Sequence, residues 1–325
     1  MMIGQSQESR ALVAQLRRFA SCDAPVLLEG ETGTGKELAA REIHYASARS
    51  VKPFVPVNCG ALPDSLIESE LFGHRRGAFT DAKSSQPGLV GHAQGGTLFL
   101  DEVDTLSPKA QITLLRFLQD HEYRPLGGGA MLAANVRIIA ATNASLEQLA
   151  GKTHFRRDLL YRLNPLYLHL TPLRERREDV SPLAEHFLTV AVQSLATTPK
   201  RWTQAALRAL VAHDWPGNVR ELENVTLRAC LSADGFDVGI AELGAADPAF
   251  AAGAIVEPAA SRESSFSAAK ICAIESFERT YLTDLMRRAR GNVSAAARLS
   301  SIERRQLGKL LKKRGIEKKP FREHE

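Results

Sequence analysis

Only four cysteines occur in 325 residues, and Cys22, Cys59, Cys230 and Cys272 stand far apart with no Cys-x-x-Cys pair. That spacing argues against a disulfide framework and against a paired-thiolate zinc site. No apolar run approaches the roughly 18–20 residues needed to cross a bilayer. The opening "MMIGQSQESR" lacks the charged-then-apolar pattern of a secretory leader. A reducing cytoplasm is therefore the expected home, with no membrane among the partners. Internal repeats are absent, and most of the chain lacks excess charge. The net charge is +5, but Gly291 to Glu325 holds ten Lys/Arg against four Asp/Glu, leaving −1 for everything before it. Positive charge confined to the last tenth points to an anionic partner for that end alone. A solvated basic tail is the competing explanation.

The length allows two or three compact units. With 44% hydrophobic and 24% charged residues, the chain belongs among globular sequences. From Ile3 to about Leu170, short apolar runs alternate with helical patterns. "APVLLEG", "FVPVN", "GGTLFLDE" and "VRIIAATN" read as buried strands, each followed by apolar residues at three- and four-residue spacing. The alternation predicts an α/β fold, a parallel sheet with helices on both faces. Beyond the break "TPLRERRED" the pattern is helical through "NVRELENVTLRACL". The Ala-, Gly-, Pro- and Ser-rich stretch that follows reads as a linker, and the rest, from about Phe266, as helical and basic.

"GETGTGKE", Gly30 to Glu37, lies between the strand "PVLLE" and the helix "KELAAREIHYA". The N–H groups of such a loop, with the helix N-terminus behind it, cradle phosphates, and Lys36 reaches the terminal ones. Gly30, Glu31, Thr32, Gly33, Thr34, Gly35, Lys36 and Glu37 are thus the candidate ATP-binding loop. Glu37 stands where the general pattern has a magnesium-binding Ser or Thr. "GGTLFLDEVD" is an apolar strand ending in Asp101, suited to holding Mg2+, and Glu102, suited to deprotonating the attacking water. Turn chemistry or strand-end carboxylates would explain either motif alone; both in this order argue for a nucleotide site. Between them "GHRRGAFTDA" sets Phe79 among glycine and small residues, an aromatic that a nucleotide site does not need.

Eight blocks occur in order: "GETGTGKEL", "VNCGALPDSLIESELFGH", "GAFTDA", "GGTLFLDEV", "VRIIAATN", "FRRDLLYRLN", "PLRERREDV" and "WPGNVRELENV". In these blocks the chain resembles the bacterial enhancer-binding proteins, AAA+ activators of sigma-54 RNA polymerase, over nearly its whole length. The resemblance implies an ATP-hydrolysing transcription activator bound to double-stranded enhancer DNA. It would form a ring, usually a hexamer in that family, and use ATP and Mg2+ to remodel the closed complex of the sigma-54 RNA polymerase holoenzyme. "GAFTDA" is similar to the family's GAFTGA loop, which makes Phe79 and Thr80 sigma-54 contacts; without the family, Phe79 tucked under its own loop would be the favoured reading. Asp81 replaces the family's glycine, at modest conformational cost because Asp tolerates the left-handed region, and adds a negative charge at the tip. The resemblance further implies Asn58 as the partner of Glu102 and Asn143 as sensor I. Arg156 and Arg162 become arginine fingers acting on a neighbouring subunit's nucleotide, and Arg220 the sensor II of the lid. Glu37 is no longer odd, since the family itself has Glu there.

The stretch "FERTYLTDLMRRARGNVSAAARLSSIERRQLGKLLKKRGI" resembles the family's Fis-type helix-turn-helix. Ser300 and Glu303 have capping-box spacing. Ile302, Leu307, Leu310 and Leu311 are expected to face inward, leaving Arg304, Arg305, Gln306, Lys309 and Lys312 for DNA. Ser301 takes the place of the family's usual turn glycine, and Gly308 weakens the second helix by about 1 kcal/mol relative to Ala. The expected units are 1–170, an AAA+ α/β ATPase subdomain; 171–238, a helical lid; 239–265, a linker; and 266–325, a small all-α DNA-binding domain. Because the ATPase motifs start almost at residue 1, the resemblance is to the subclass with no N-terminal regulatory domain, with control expected from a regulatory protein in trans, from expression level, or from a module outside this sequence. Two rival readings stand beside it. One is a DNA-binding regulator of the same ancestry that no longer engages sigma-54; the other is a nucleic-acid-remodelling AAA+ motor.

Overall fold

Parallel strands β1 (Val26–Glu29), β2 (Phe54–Asn58), β3 (Thr97–Asp101), β4 (Arg137–Thr142) and β5 (Leu166–His169) form one sheet in the order β2–β3–β4–β1–β5. They belong to a computed structural model that describes residues 2–63, 66–79, 82–152 and 154–251, and in a second unit 282, 285–286, 289, 292–300, 302 and 304–313. The chain divides into Met1–Ala251 and Ala252–Glu325.

Side chains on successive strand residues point to opposite faces, and the central strands are apolar over residues 26–28, 98–100 and 138–141, so both faces must be covered. Val26, Leu28, Phe99, Ile139 and Ala141 pack with Leu16 of α1 (Gln7–Ala20) and Ala39, Ala40 and Ile43 of α2 (Lys36–Tyr45). The alternate residues Leu27, Leu98, Leu100, Ile138 and Ala140 pack on the other face, against helices that include α3 (Ile67–Phe72), α4 (Leu89–His92), α5 (Pro108–Asp120), α6 (Leu146–Gly151) and α7 (Arg157–Leu163). The α/β fold with helices on both faces is thus present. "FVPVN" departs from the buried strand expected of it: β2 is an edge strand with Pro56 and Asn58 exposed, which suits a residue that cannot donate to a ladder.

Parallel pairing aligns the strand ends that carry chemistry. Asn58 is in register with Asp101, and Glu29 with Thr142. The loops after β1, β2, β3 and β4 therefore emerge side by side, at the carboxyl ends where open α/β sheets bind ligands.

The lid contains α8 (Val180–Ser194), α9 (Gln204–Ala212), α10 (Asn218–Ser232), α11 (Ile240–Ala246) and α12 (Pro248–Ala251). Its core holds both tryptophans, each with its indole N–H satisfied: Trp202 donates to Ala184 O at 3.0 Å and Trp215 to Leu210 O at 2.8 Å. The linker expected from 239 does not begin there. Leu243, Ala246 and Phe250 are buried in the lid core, and Phe250 lies 5.8 Å from Trp215 between ring centroids. Small residues let these two short helices pack closely, and that same composition made them read as spacer.

The break "TPLRERRED" is a packed joint. Asp179 is fully buried and accepts from the Ser6 N–H and hydroxyl, both at 2.8 Å, and from the Ser9 hydroxyl at 2.5 Å, which ties the start of α1 to the start of the lid.

In the second unit, α13 (Val293–Ser300) and α14 (Arg304–Lys313) share a core made of Leu282, Leu285, Met286, Ala296, Ala297, Leu307 and Leu311, with Ile302 packed on it. Asn292 Oδ1 caps α13 by accepting from the Ser294 and Ala295 amides at 3.0 and 3.2 Å. Ser300 is not the N-cap that its spacing suggested. It ends α13, and its hydroxyl donates back to Ala296 O at 2.9 Å; Ser301 and Glu303 lie outside the described residues. The Leu310 side chain lies outside them too.

Candidate functional site

The loop after β1 turns into α2 through Gly33 and Gly35, both left-handed at φ +80° and +101°. A Cβ at Gly33 would stand 2.3 Å from Gly217 O, so close approach of the lid requires glycine there. Helix α2 begins at Lys36, aiming its N-terminal N–H groups at the loop. Lys36 is buried, with Nζ donating to Gly30 O at 2.7 Å and Glu31 O at 3.1 Å. Burial pushes this ammonium below the ordinary lysine range, while Asp101, Asp104 and Glu102 pull it back.

Beyond it opens a cavity of roughly 290 Å³. From the loop, Thr32, Gly33, Gly35, Lys36 and Glu37 line it; from the strand ends, Asn58, Asp101, Glu102 and Asn143; and from the lid, Val219, Arg220 and Glu223. Gly30, Glu31 and Thr34 belong to the same loop but do not line the cavity. Burial pushes the Asp101 carboxyl up, against the opposing pull of the Glu102 N–H (3.0 Å to Oδ1) and of Lys36. Glu102 itself sits at φ +56°, ψ +44°. A non-glycine residue rarely adopts that conformation except where surroundings enforce it, as at functional sites. Asn58 Oδ1 accepts from the Ala61 amide at 3.2 Å, and a Cβ on Gly60 would meet both Asn58 Oδ1 and Glu102 Oε2 at 3.2 and 3.1 Å. The amide and the carboxylate therefore converge over one glycine.

An apolar hollow of about 200 Å³ adjoins the cavity, sharing Gly35, Leu38 and Val219. Its other walls include Met2, Ile3, Leu183 and Phe187. Sequence reasoning assigned none of these a ligand role, since no spacing rule links residues 2–3 to a helix beginning at 180. Arg174, Arg176 and Asn218 were missed likewise. The Glu31 carboxylate takes a bidentate pair from Arg174 at 2.7 and 2.6 Å. That contact, with a hydrogen bond from Asn218, holds Glu31 down at about 2. Glu31, expected to touch ATP, turns its carboxylate to the lid.

Arg156 and Arg162 do not line the cavity of their own chain. Arg156 precedes α7 and pairs with Asp158 at 2.7 Å; Arg162 is exposed in the last turn of the helix, which Leu159, Leu160 and Leu163 anchor in the core.

Phe79 is 38% exposed, its ring 4.9 Å from that of His74, and His74 Nδ1 meets Ser69 Oγ at 3.0 Å. Its loop is closed by Gly77 N to Ala82 O (2.9 Å) and Ala82 N to Phe79 O (3.0 Å). Thr80 and Asp81 lie outside the described residues. A second surface turn, unassigned from sequence, is hydrogen-bonded alongside: Arg75 N to Leu126 O and Leu126 N to Gly73 O, both 2.9 Å.

On α14, Arg304, Arg305, Gln306 and Lys309 are exposed opposite buried Leu307 and Leu311, while the Lys312 side chain lies outside the described residues. Among the described residues no helix is long and apolar enough to cross a membrane.

Comparison with known proteins matches residues 2–169 to the family described as Sigma-54 interaction domain, 174–249 to an AAA+ ATPase lid domain, and 273–313 to the Fis family of bacterial regulatory proteins. Transcriptional regulatory protein GlrR of Escherichia coli K12 is 41% identical over 312 residues, covering 96% of this chain and 67% of GlrR. The Sigma54-dependent transcriptional activator SfnR of Pseudomonas putida is 49% identical over 228 residues, 70% of this chain and 62% of SfnR. Among solved structures, NtrX from Brucella abortus in complex with ATP is 31% identical with a TM-score of 0.70, covering 97% of this chain and 70% of NtrX.

Proposed function

The chain belongs to the sigma-54 activator family, with an AAA+ P-loop fold, an AAA+ lid and a Fis-type DNA-binding unit, and from that premise we propose that it couples ATP hydrolysis to activation of sigma-54 RNA polymerase. One observation carries this reading: Lys36, Asn58, Asp101, Glu102, Asn143 and Arg220, drawn from five separate segments, meet in one cavity.

In the proposed cycle the adenine base enters the apolar hollow and the phosphates lie along the loop. Lys36 exchanges the Gly30 and Glu31 carbonyls for the terminal phosphates. Asp101 fits a divalent cation, because its partly buried carboxylate faces the cavity with its charge penalised by burial. A Mg2+ ion held there would supply positive charge to offset that of the phosphates. Glu102, braced by Asn58, takes a proton from water as its oxygen attacks the γ-phosphorus and the bond to the β-phosphate oxygen breaks. Asn143 and Arg220 bear on the γ-phosphate from the sheet and the lid. Arg156 and Arg162 complete the site of a neighbouring subunit, which requires a ring, proposed as a hexamer.

Phe79 and Thr80 are the proposed sigma-54 contacts. The exposed residues Arg304, Arg305, Gln306 and Lys309 of α14, together with Lys312, are the proposed enhancer-DNA contacts. A cytoplasmic setting and control by a partner protein complete the proposal.

Transcription from a sigma-54 promoter in a purified system tests it. Transcripts are expected only with wild-type protein and ATP, and none with Lys36→Ala. Their absence with wild-type protein overturns the reading.

A further inference from the structure

Three consecutive carbonyls of the nucleotide loop receive donors from the lid. Thr32 O accepts from Asn218 Nδ2 at 3.0 Å, Gly33 O from the Val219 amide at 3.0 Å, and Thr34 O from Arg176 Nη2 at 3.2 Å. A loop that turns its N–H groups toward an anion turns carbonyls away from it. Buried carbonyls need donors of their own, and here the lid supplies them.

Asn218 is the hub of this contact. It is fully buried and adopts φ +53°, which Asn tolerates better than most residues. Both ends of its carboxamide are used. Oδ1 accepts from Leu173 N at 2.8 Å, while Nδ2 donates to Thr32 O and also to Glu31 Oε2 at 3.1 Å. The bidentate Arg174 pair closes the cluster on Glu31 from the other side.

We propose that Asn218 is a positioning residue for nucleotide binding: with Glu31 and Arg174 it locks the phosphate loop to the lid, so that the loop takes its phosphate-binding shape only when the lid is seated. This rests on the nucleotide-site reading above. The loop N–H groups hold phosphate in the ground state and the transition state alike. Their misplacement therefore raises KM and Kd and leaves kcat nearly unchanged.

Asn218→Asp in the full chain tests the lock. It keeps the size and the acceptor but puts oxygen where Nδ2 donated, facing the Glu31 carboxylate and Thr32 O. Titration with a fluorescent ATP analogue is expected to show Kd raised tenfold or more, with KM rising in parallel and kcat within threefold of wild type. Adding Glu31→Gln supplies an amide donor at that contact, though it gives up the bidentate Arg174 pair, and is expected to lower Kd at least threefold from that of the single variant. Wild-type Kd for Asn218→Asp, or a double variant no better than the single, overturns the proposal.

If Asn218→Asp does not fold, Arg174→Gln carries the test at an exposed pair: Kd should rise at least threefold with Tm only slightly below wild type, and a wild-type Kd overturns the lock. Lys36→Ala separates the two levels. If it binds nucleotide as wild type does, or if neither binds, the nucleotide-site reading fails and the lock with it. If Lys36→Ala loses binding while Asn218→Asp keeps it, only the lock fails.

Discussion

Glu31 shows how one side chain of a phosphate-binding motif comes to serve the lid. Its carboxylate is held at about 2, first by Arg174 and then by Asn218. A depressed carboxylate stabilises the fold fully above its unfolded value, near 4.5, and loses that contribution as pH falls toward about 2. Glu31→Gln is therefore expected to melt slightly below wild type at neutral pH, with the gap narrowing from about pH 5 to about pH 2. The gap is small, because both partners are more than a third exposed and solvent screens them. Melting curves across that window check it, and a gap that stays constant contradicts the pairing. Lys36, Asp101 and Glu102 were legible in the sequence because each sits in a short motif whose chemistry follows from its own neighbours. Arg174 and Asn218 were not, since their partner Glu31 lies 143 and 187 positions away and no local pattern joins them.

Elements were legible in proportion to how fully they are buried on both sides. Central strands β3 and β4 announced themselves as continuous apolar runs. β5, an edge strand reading Leu-Tyr-Leu-His, carries only a four-residue alternation and went unread. Helices α11 and α12 were hidden by composition, since Ala and Gly dominate both spacers and tightly packed short helices. Their large side chains decide the matter. Phe250 is buried against Trp215 and His213, with ring centroids 5.8 and 4.9 Å apart. Phe250→Ala is expected to cost about 3–5 kcal/mol, the range for a core aromatic cut to alanine. Denaturant unfolding of the full chain measures this; a cost below about 1 kcal/mol would return the segment to the status of a spacer.

At the scale of the whole molecule, the cavity is built from one chain, yet the two arginines on and before α7 stand outside it. If they act on a neighbour, Arg156→Ala and Arg162→Ala are expected to bind nucleotide within a few-fold of wild type while turnover falls by about 10³ or more. Mixing either with Glu102→Gln protein should restore some turnover, because mixed rings contain interfaces with an intact half from each subunit. Mixed rings that never recover activity would contradict action in trans. Family membership was legible from eight ordered blocks, whereas the meeting of sheet, lid and loop in one cavity required the fold. In the proposed function the link from that cavity to transcription is Phe79, exposed on its loop with its ring against His74. The most direct measurement is open-complex formation by purified sigma-54 RNA polymerase with wild-type and Phe79→Ala proteins, alongside the ATPase rate and Tm of each. The expected result is open complexes with wild type and ATP, and none with Phe79→Ala, although its ATPase stays within about twofold and its Tm is nearly unchanged, as an exposed aromatic allows. Wild-type protein that hydrolyses ATP yet forms no open complexes, or Phe79→Ala protein that forms them normally, would contradict it.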